Sequence, residues 1–323
     1  MSAGRTANAL FRRLPAAVKT KRILVSLFRI VHPLRPPVES PTLVTKMLVQ
    51  PPDDSLITGN GFAARCRGVV NYDLLVVNAA AVDSRWWFCN PEFLEYFFRK
   101  LAPDDEYVLF THNSNVDRPI DRTFARRLEQ PELIAWFATN VELRHPKLHS
   151  IPLGVGNPIK CDPAAFRAVQ KAPPPKNELF EASFSIDTNP VERTYCIEQT
   201  GIVPAPKQTT QHAFYERLAS AYFCISPNGN GVDCYRTWQA LYLRTIPIVT
   251  RSVLTDQHPD LPWIVLDDWS EFRRIEFTPE LYDRVWEGWD PAGLTLDRYL
   301  DRVKATIERR VTLADLETAA SGR

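Results

Sequence analysis

The stretch that decides the fold reads SPNGNGVDCYRTWQALYLRTIPIV, residues 226–249. An apolar run at residues 222–225 leads into it and predicts a strand. Pro227 stops that strand, and Asn228, Gly229, Asn230 and Gly231 form a loop. Helical spacing then starts at Asp233 and runs to Leu243, before a second apolar strand at residues 246–250. A glycine-bearing loop lets the backbone come close to a ligand, and a helix start offers unpaired N–H groups and positive potential to phosphate. Asp233 is the expected helix cap. Arg236, Thr237 and Ala240 follow it at helical spacings of three, four and seven, so Arg236 is expected to project toward the same anion. Taken alone, the segment also fits a capped helix with a surface arginine.

Strand and helix alternate outward from this point. Residues 72–80, 106–111 and 148–153 read as buried strands, with helices at 91–100 and 118–128. The run 133–141 fits either a helix or a strand. The prolines at 173–175 interrupt the pattern. Beyond them come a strand at 178–186, a helix at 211–221, a strand at 263–266 and helical stretches at 270–274, 279–286 and 296–310. The expected class is α/β, with two doubly wound Rossmann-like lobes and a cleft between them. The expected divisions are an arm (residues 1–40), an acceptor-binding lobe (41–172) and a nucleotide-binding lobe (173–323). Ligands of such sheets bind beyond the carboxyl ends of the strands.

Charge narrows the partners. Eight of the 39 Lys and Arg residues fall within residues 1–38, which hold no acidic residue. The remaining 31 face 38 acidic residues, a balance that argues against a nucleic-acid-binding body. Apolar residues recur at near-helical spacing through the basic arm, a pattern suited to lying on an anionic membrane surface, and its apolar run is too short to span a bilayer. The expected location is cytoplasmic and peripheral to a membrane. Six cysteines form no Cys-x-x-Cys pair, so a zinc site is not expected.

The decisive segment resembles the donor-binding signature of exostosin-like glycosyltransferases. The resemblance continues upstream through SFSIDTNPVER (183–193), WFATN (136–140), IPLGVGN (151–157) and THNS (111–114), over about 140 residues. It implies a two-lobed fold of the GT-B type. It also implies a nucleotide-sugar donor held by the C-terminal lobe and a glycan or other hydroxyl acceptor held by the N-terminal one. Arg193 and Arg236 would share the diphosphate charge. Asn228, Gly229, Asn230, Gly231, Asp233, Thr237 and Gln239 complete the expected donor site, with Gln239 standing where related sequences often carry Glu. Asn113 and Ser114 would position sugar hydroxyls. No Asp-x-Asp triplet occurs, so no metal or other cofactor is expected, and cationic side chains would take the metal's place.

An inverting transfer needs a base for the acceptor proton. His112, at the end of the 106–111 strand, is the first candidate, and Asp83 and Asp117 are carboxylate rivals. Asn115 stands where the similar motif often ends in Asp. Two other functions fit the same fold: a sugar-nucleotide epimerase or hydrolase, and a non-catalytic carbohydrate-binding protein.

Overall fold

A computed structural model of the chain describes residues 38–39, 55–71, 74–78, 81–114, 122–158, 160–206 and 210–321. The basic arm up to residue 37, Asn115 and Asp117 lie outside the described residues. Seven strands make a mixed sheet: β1 (Val38–Glu39), β2 (Cys66–Asn71), β3 (Leu74–Val77), β4 (Asp83–Cys89), β5 (Tyr107–Thr111), β6 (Leu133–Ala138) and β7 (Leu148–Ser150). Their spatial order is β1-β3-β2-β4-β5-β6-β7, and only the β2–β3 pair is antiparallel. Four more strands, β8 (Glu178–Glu181), β9 (Ala221–Ile225), β10 (Ile246–Thr250) and β11 (Ile264–Leu266), form a wholly parallel sheet in the order β11-β10-β9-β8.

The helices are α1 (Gly59–Arg65), α2 (Leu94–Lys100), α3 (Arg122–Ala125), α4 (Pro163–Lys171), α5 (Pro190–Thr200), α6 (Gln211–Ser220), α7 (Tyr235–Tyr242), α8 (Val253–Gln257), α9 (Pro279–Trp286) and α10 (Leu296–Ser321). Their starts follow local chemistry. Asp162, Asn189, Thr210 and Thr278 each accept a first-turn N–H, and Pro163, Pro190 and Pro279 open three of these helices, where a missing N–H costs nothing. α5 ends on Gly201 in the left-handed region, at φ 74°.

The ambiguous run 133–141 resolves as strand β6. All six of its residues are buried, and a strand covered on both faces has no alternation to read. β2 carries no sequence signal, because Arg67 and Gly68 break its apolar run. Gly68 is required there, since a Cβ would come within 2.2 Å of the Trp87 ring. The expected strand at 178–186 stops at Glu181.

The two sheets share one apolar core. Phe62, Trp86 and Phe110 on the mixed-sheet side join Ile225, Trp238 and Trp263 on the parallel-sheet side. α10 returns to the mixed sheet, where Tyr299 meets the Phe62 ring at 5.8 Å and its hydroxyl donates to the Ser150 carbonyl at 3.2 Å. A separate cluster around Phe166, Tyr215 and Leu218 packs α4 onto α6, so α4 leans on the parallel-sheet side although it precedes the proline run.

Candidate functional site

A cleft of about 910 Å³ is bounded by the segments that follow β5, β6 and β7 on one side and β8 and β9 on the other. Among the residues expected to bind a donor, Arg193, Gly229, Asn230, Gly231, Asp233, Arg236 and Gln239 line it, and Ser114 lines the opposite rim. Asn228, Thr237, Asn113, His112 and Asp83 do not.

Two buried arginines dominate one wall. Arg193, in the first turn of α5, donates from Nε to the Asn228 carbonyl at 2.9 Å and from Nη1 to that of Ser185. Arg236, in the first turn of α7, donates from Nη1 to the Ser183 carbonyl at 3.0 Å and from Nη2 to the Pro227 carbonyl at 3.2 Å. The side chain of Phe184 lies between strand and helices with its ring centroid 5.4 Å from each guanidinium carbon, a cation–π distance. The residues are 5% and 8% exposed. Neither guanidinium joins an ion pair among the described residues, and Arg236 Nε is buried without a partner there. Burial, and then the neighbouring Arg236 charge, hold the Arg193 guanidinium below its usual pKa. Two cations brought together out of water with no carboxylate in ion-pair contact favour an anionic ligand.

The loop glycines serve packing. A Cβ on Gly229 would come within 3.1 Å of Arg193 Nη2, and one on Gly231 within 2.3 Å of the Asn140 amide. The Gly229 N–H is donated inside the loop, to the Gly231 carbonyl at 3.0 Å. The close approach that demands glycine is therefore to protein side chains.

Asp233 corrects the expected cap. α7 begins at Tyr235 with Cys234 as its N-cap, and Cys234 makes no side-chain capping bond. Asp233 lies outside the helix and accepts the Leu153 N–H at 2.7 Å, the Cys234 N–H at 2.7 Å and the Trp238 indole N–H at 2.8 and 2.9 Å. Its own N–H donates to Asn140 Oδ1 at 3.0 Å. The carboxylate thus ties the segments after β6 and β7 to α7, and with both oxygens occupied it has no lone pair to spare for a ligand. Burial pushes its pKa up to about 7 against the pull of these donors.

Thr237 and Asn228 also face inward. The Thr237 hydroxyl hydrogen-bonds that of Ser226 at 2.8 Å, and Asn228 contributes the carbonyl that holds Arg193. Gln239 donates from Nε2 to the Val155 carbonyl at 2.9 Å. A carboxylate has no proton for that bond, which accounts for an amide at this position.

The candidate bases fare differently. His112 is 1% exposed, and the Asn113 N–H donates to its Nδ1 at 2.7 Å, which leaves Nε2 to carry the proton and donate to the Pro152 carbonyl at 3.2 Å. Burial lowers its pKa to about 4. Both ring nitrogens are hydrogen-bonded within the protein, and the ring does not line the cleft. Asp83 opens β4 at its amino end, not a loop beyond a carboxyl end, and pairs with Arg85 at 2.8 Å. Asn113, at φ 65°, donates to Asn60 Oδ1 at 3.0 Å and accepts from Asn157 Nδ2 at 2.8 Å, so its amide is spent within the rim.

Sequence reasoning assigned no role to Asn140 or Phe184. Asn140 sits at φ 54° just past β6, a left-handed position that asparagine tolerates, and its place at the end of a strand was the available signal. Among the described residues no three His, Cys, Asp or Glu side chains group closely enough to hold a metal ion, and no helix is long and apolar enough to cross a membrane. Compared with models of known protein families and with curated proteins, the chain finds no match.

Proposed function

We propose that the chain is a glycosyltransferase that moves a sugar from a nucleotide-sugar donor to a hydroxyl acceptor, on an architecture of the two-lobed GT-B type. The observation that carries this reading is the pair of buried guanidiniums, Arg193 and Arg236, on the wall of a cleft large enough for a sugar nucleotide and lined by the ends of five strands. The reading joins that wall to the exostosin-like segment at residues 226–249. In the transfer the acceptor hydroxyl oxygen attacks the anomeric carbon, the bond from that carbon to the phosphate oxygen breaks, the nucleoside diphosphate leaves with the bonding pair, and the hydroxyl proton passes to solvent water. The two arginines, fixed in advance by four backbone carbonyls, stabilise the charge that grows on the leaving diphosphate. Ser114 and Asn140, on the facing rim, are the polar side chains in reach of an acceptor. The basic arm of residues 1–38 is proposed to bring the enzyme to an anionic membrane, and its deletion should abolish salt-sensitive binding to anionic vesicles.

The test is a panel of UDP-, GDP- and CMP-sugars. A true donor at 100 times its Kd should stabilise the fold by about 2.7 kcal/mol and should be consumed only when an acceptor is supplied. Consumption without acceptor would favour an epimerase or hydrolase, and no stabilisation by any member would sink the proposal. Turnover should persist in a chelator, and loss restored by manganese or magnesium would remove metal independence from the reading.

A further inference from the structure

Behind the arginine wall stands a carboxylate for which the proposed transfer has no use. Glu181 closes β8 and is 2% exposed. Its Oε1 accepts the Ser183 hydroxyl, and the Cys224 thiol lies 3.8 Å from Oε2. Arg217 of α6, on the far side, comes within 3.7 Å from a partly solvated position. The Ser183 carbonyl accepts from Arg236, so one residue separates the carboxylate from the wall. The groups facing Glu181 are therefore Ser183 after β8, Cys224 of β9, Arg217 of α6 and Arg236 of α7. Burial pushes the Glu181 carboxyl above its usual range, against the Ser183 hydroxyl and the two arginines. Burial likewise keeps the Cys224 thiol neutral.

We propose that Glu181 is a resident counter-anion, whose charge balances the arginine wall in the ligand-free protein and is removed by protonation when a ligand phosphate takes over that role. A ligand anion on Arg236 and the Glu181 carboxylate, linked to Arg236 through Ser183, repel through a medium far less screening than water. The repulsion is relieved when solvent supplies a proton to a Glu181 oxygen, with no bond to the ligand made or broken. The sign follows. Below its pKa in the folded protein Glu181 is neutral and the wall offers its full charge. Above it the carboxylate competes with the ligand, so oxyanion affinity falls as pH rises through that value. Glu181 is a positioning and tuning residue here, since it touches no ligand. The inference takes from the proposed function only that the cleft receives a phosphate-bearing ligand.

The experiment is calorimetric titration of the full chain with inorganic sulfate and with UDP-glucose, neither of which changes charge between pH 5 and 8. It is run in two buffers of different ionisation enthalpy. Wild type should lose about tenfold in affinity from pH 5 to 8 and take up a proton on binding. Glu181→Gln keeps the shape without the charge, and should bind about tenfold tighter at pH 8 with a shallower slope and less proton uptake than wild type, the remainder belonging to Asp233 on the same cleft wall. Ser183→Ala removes a donor that favours the charged carboxylate, so it should move the wild-type pH midpoint upward. A folded Glu181→Gln protein with unchanged or weaker binding, or with the slope intact, overturns the inference. Should that variant not fold, an unmoved midpoint in Ser183→Ala overturns it instead. Failure of wild type to bind either probe does so too. Sulfate following the expected pattern while no sugar nucleotide binds would leave the counter-anion standing and remove the donor.

Discussion

At the carboxyl end of β5 the buried basic side chain is His112, whereas past the carboxyl end of β9 it is Arg236. His112 is held neutral, with one ring nitrogen accepting from Asn113 and the other donating to Pro152. The Arg236 guanidinium is held instead by two carbonyls that lack a full negative charge to match it. The mixed-sheet rim continues this neutrality with the Asn60, Asn113 and Asn157 amides, while the parallel-sheet rim adds a second guanidinium. Two edges built from the same strand-to-loop geometry have thus been given different electrostatics, one of mutually bonded neutral amides and the other of two guanidiniums. Side chains decide this, since both edges have the same backbone polarity.

Arg236→Ala should break the contrast most severely. Losing one preorganised donor should cost about 2.7–4 kcal/mol of transition-state stabilisation, or roughly 10²–10³ in turnover. Arg236→Lys should recover part of it, and Arg193→Ala should act alike and less than additively in combination, as expected for one diphosphate. Steady-state kinetics on folded variants check this. Near-wild-type turnover in Arg236→Ala would make the wall structural.

The next effect lies on the neutral side and is read as stability against pH. His112 and His258 both have folded pKa values lowered to about 4, because burial disfavours the imidazolium. The unfolded chain binds their protons first, so the stability they confer is complete above about pH 6.5 and is lost as pH falls toward 4, by about 3 kcal/mol for each. Asp233 acts in the opposite sense: its folded pKa of about 7 makes the protein gain stability as pH falls from there toward 3.8. Glu181, whose pKa burial also raises, acts with Asp233, so the two carboxyls oppose the two rings and the histidine effect is read as a difference between proteins. Denaturant titrations of His258→Gln should lose less stability than wild type between pH 6.5 and 5, and an identical change in both proteins would show that the buried ring does not contribute.

Asp233→Asn sharpens the comparison at the seam between the edges. Were Asp233 a cap, asparagine would serve nearly as well. Here an amide offers one acceptor oxygen to three N–H donors, and a buried donor left without a partner should cost about 2 kcal/mol. Melts that change by only a few tenths would restore the cap. The smallest effect is expected at Asp83, far from both rims. Its pair with Arg85 is partly solvated, so Asp83→Asn should cost under about 1 kcal/mol and leave turnover unchanged. A large loss of activity there would return Asp83 to the site.

Much of this is legible in the sequence alone. Alternating apolar runs, capping residues and N1 prolines carry their information within one turn or strand, which is why β10 and α9 have the expected ends and the cleft falls at the expected loop. Charge alone set the basic arm apart from an acidic body. What tertiary structure decided is where each polar group's hydrogen bonds go. Asp233 has the sequence context of a cap, yet Leu153 lies 80 residues away in the chain and claims its carboxylate. His112 has the context of a base, yet the carbonyl of Pro152, 40 residues away, and the Asn113 N–H take its two ring nitrogens. Glu181 has no motif, and only the burial of β8 beside α6 and α7 sets it behind Arg236. Propensity is local, whereas desolvation and partner choice depend on which distant segments come together, and they determine the charge a buried group carries.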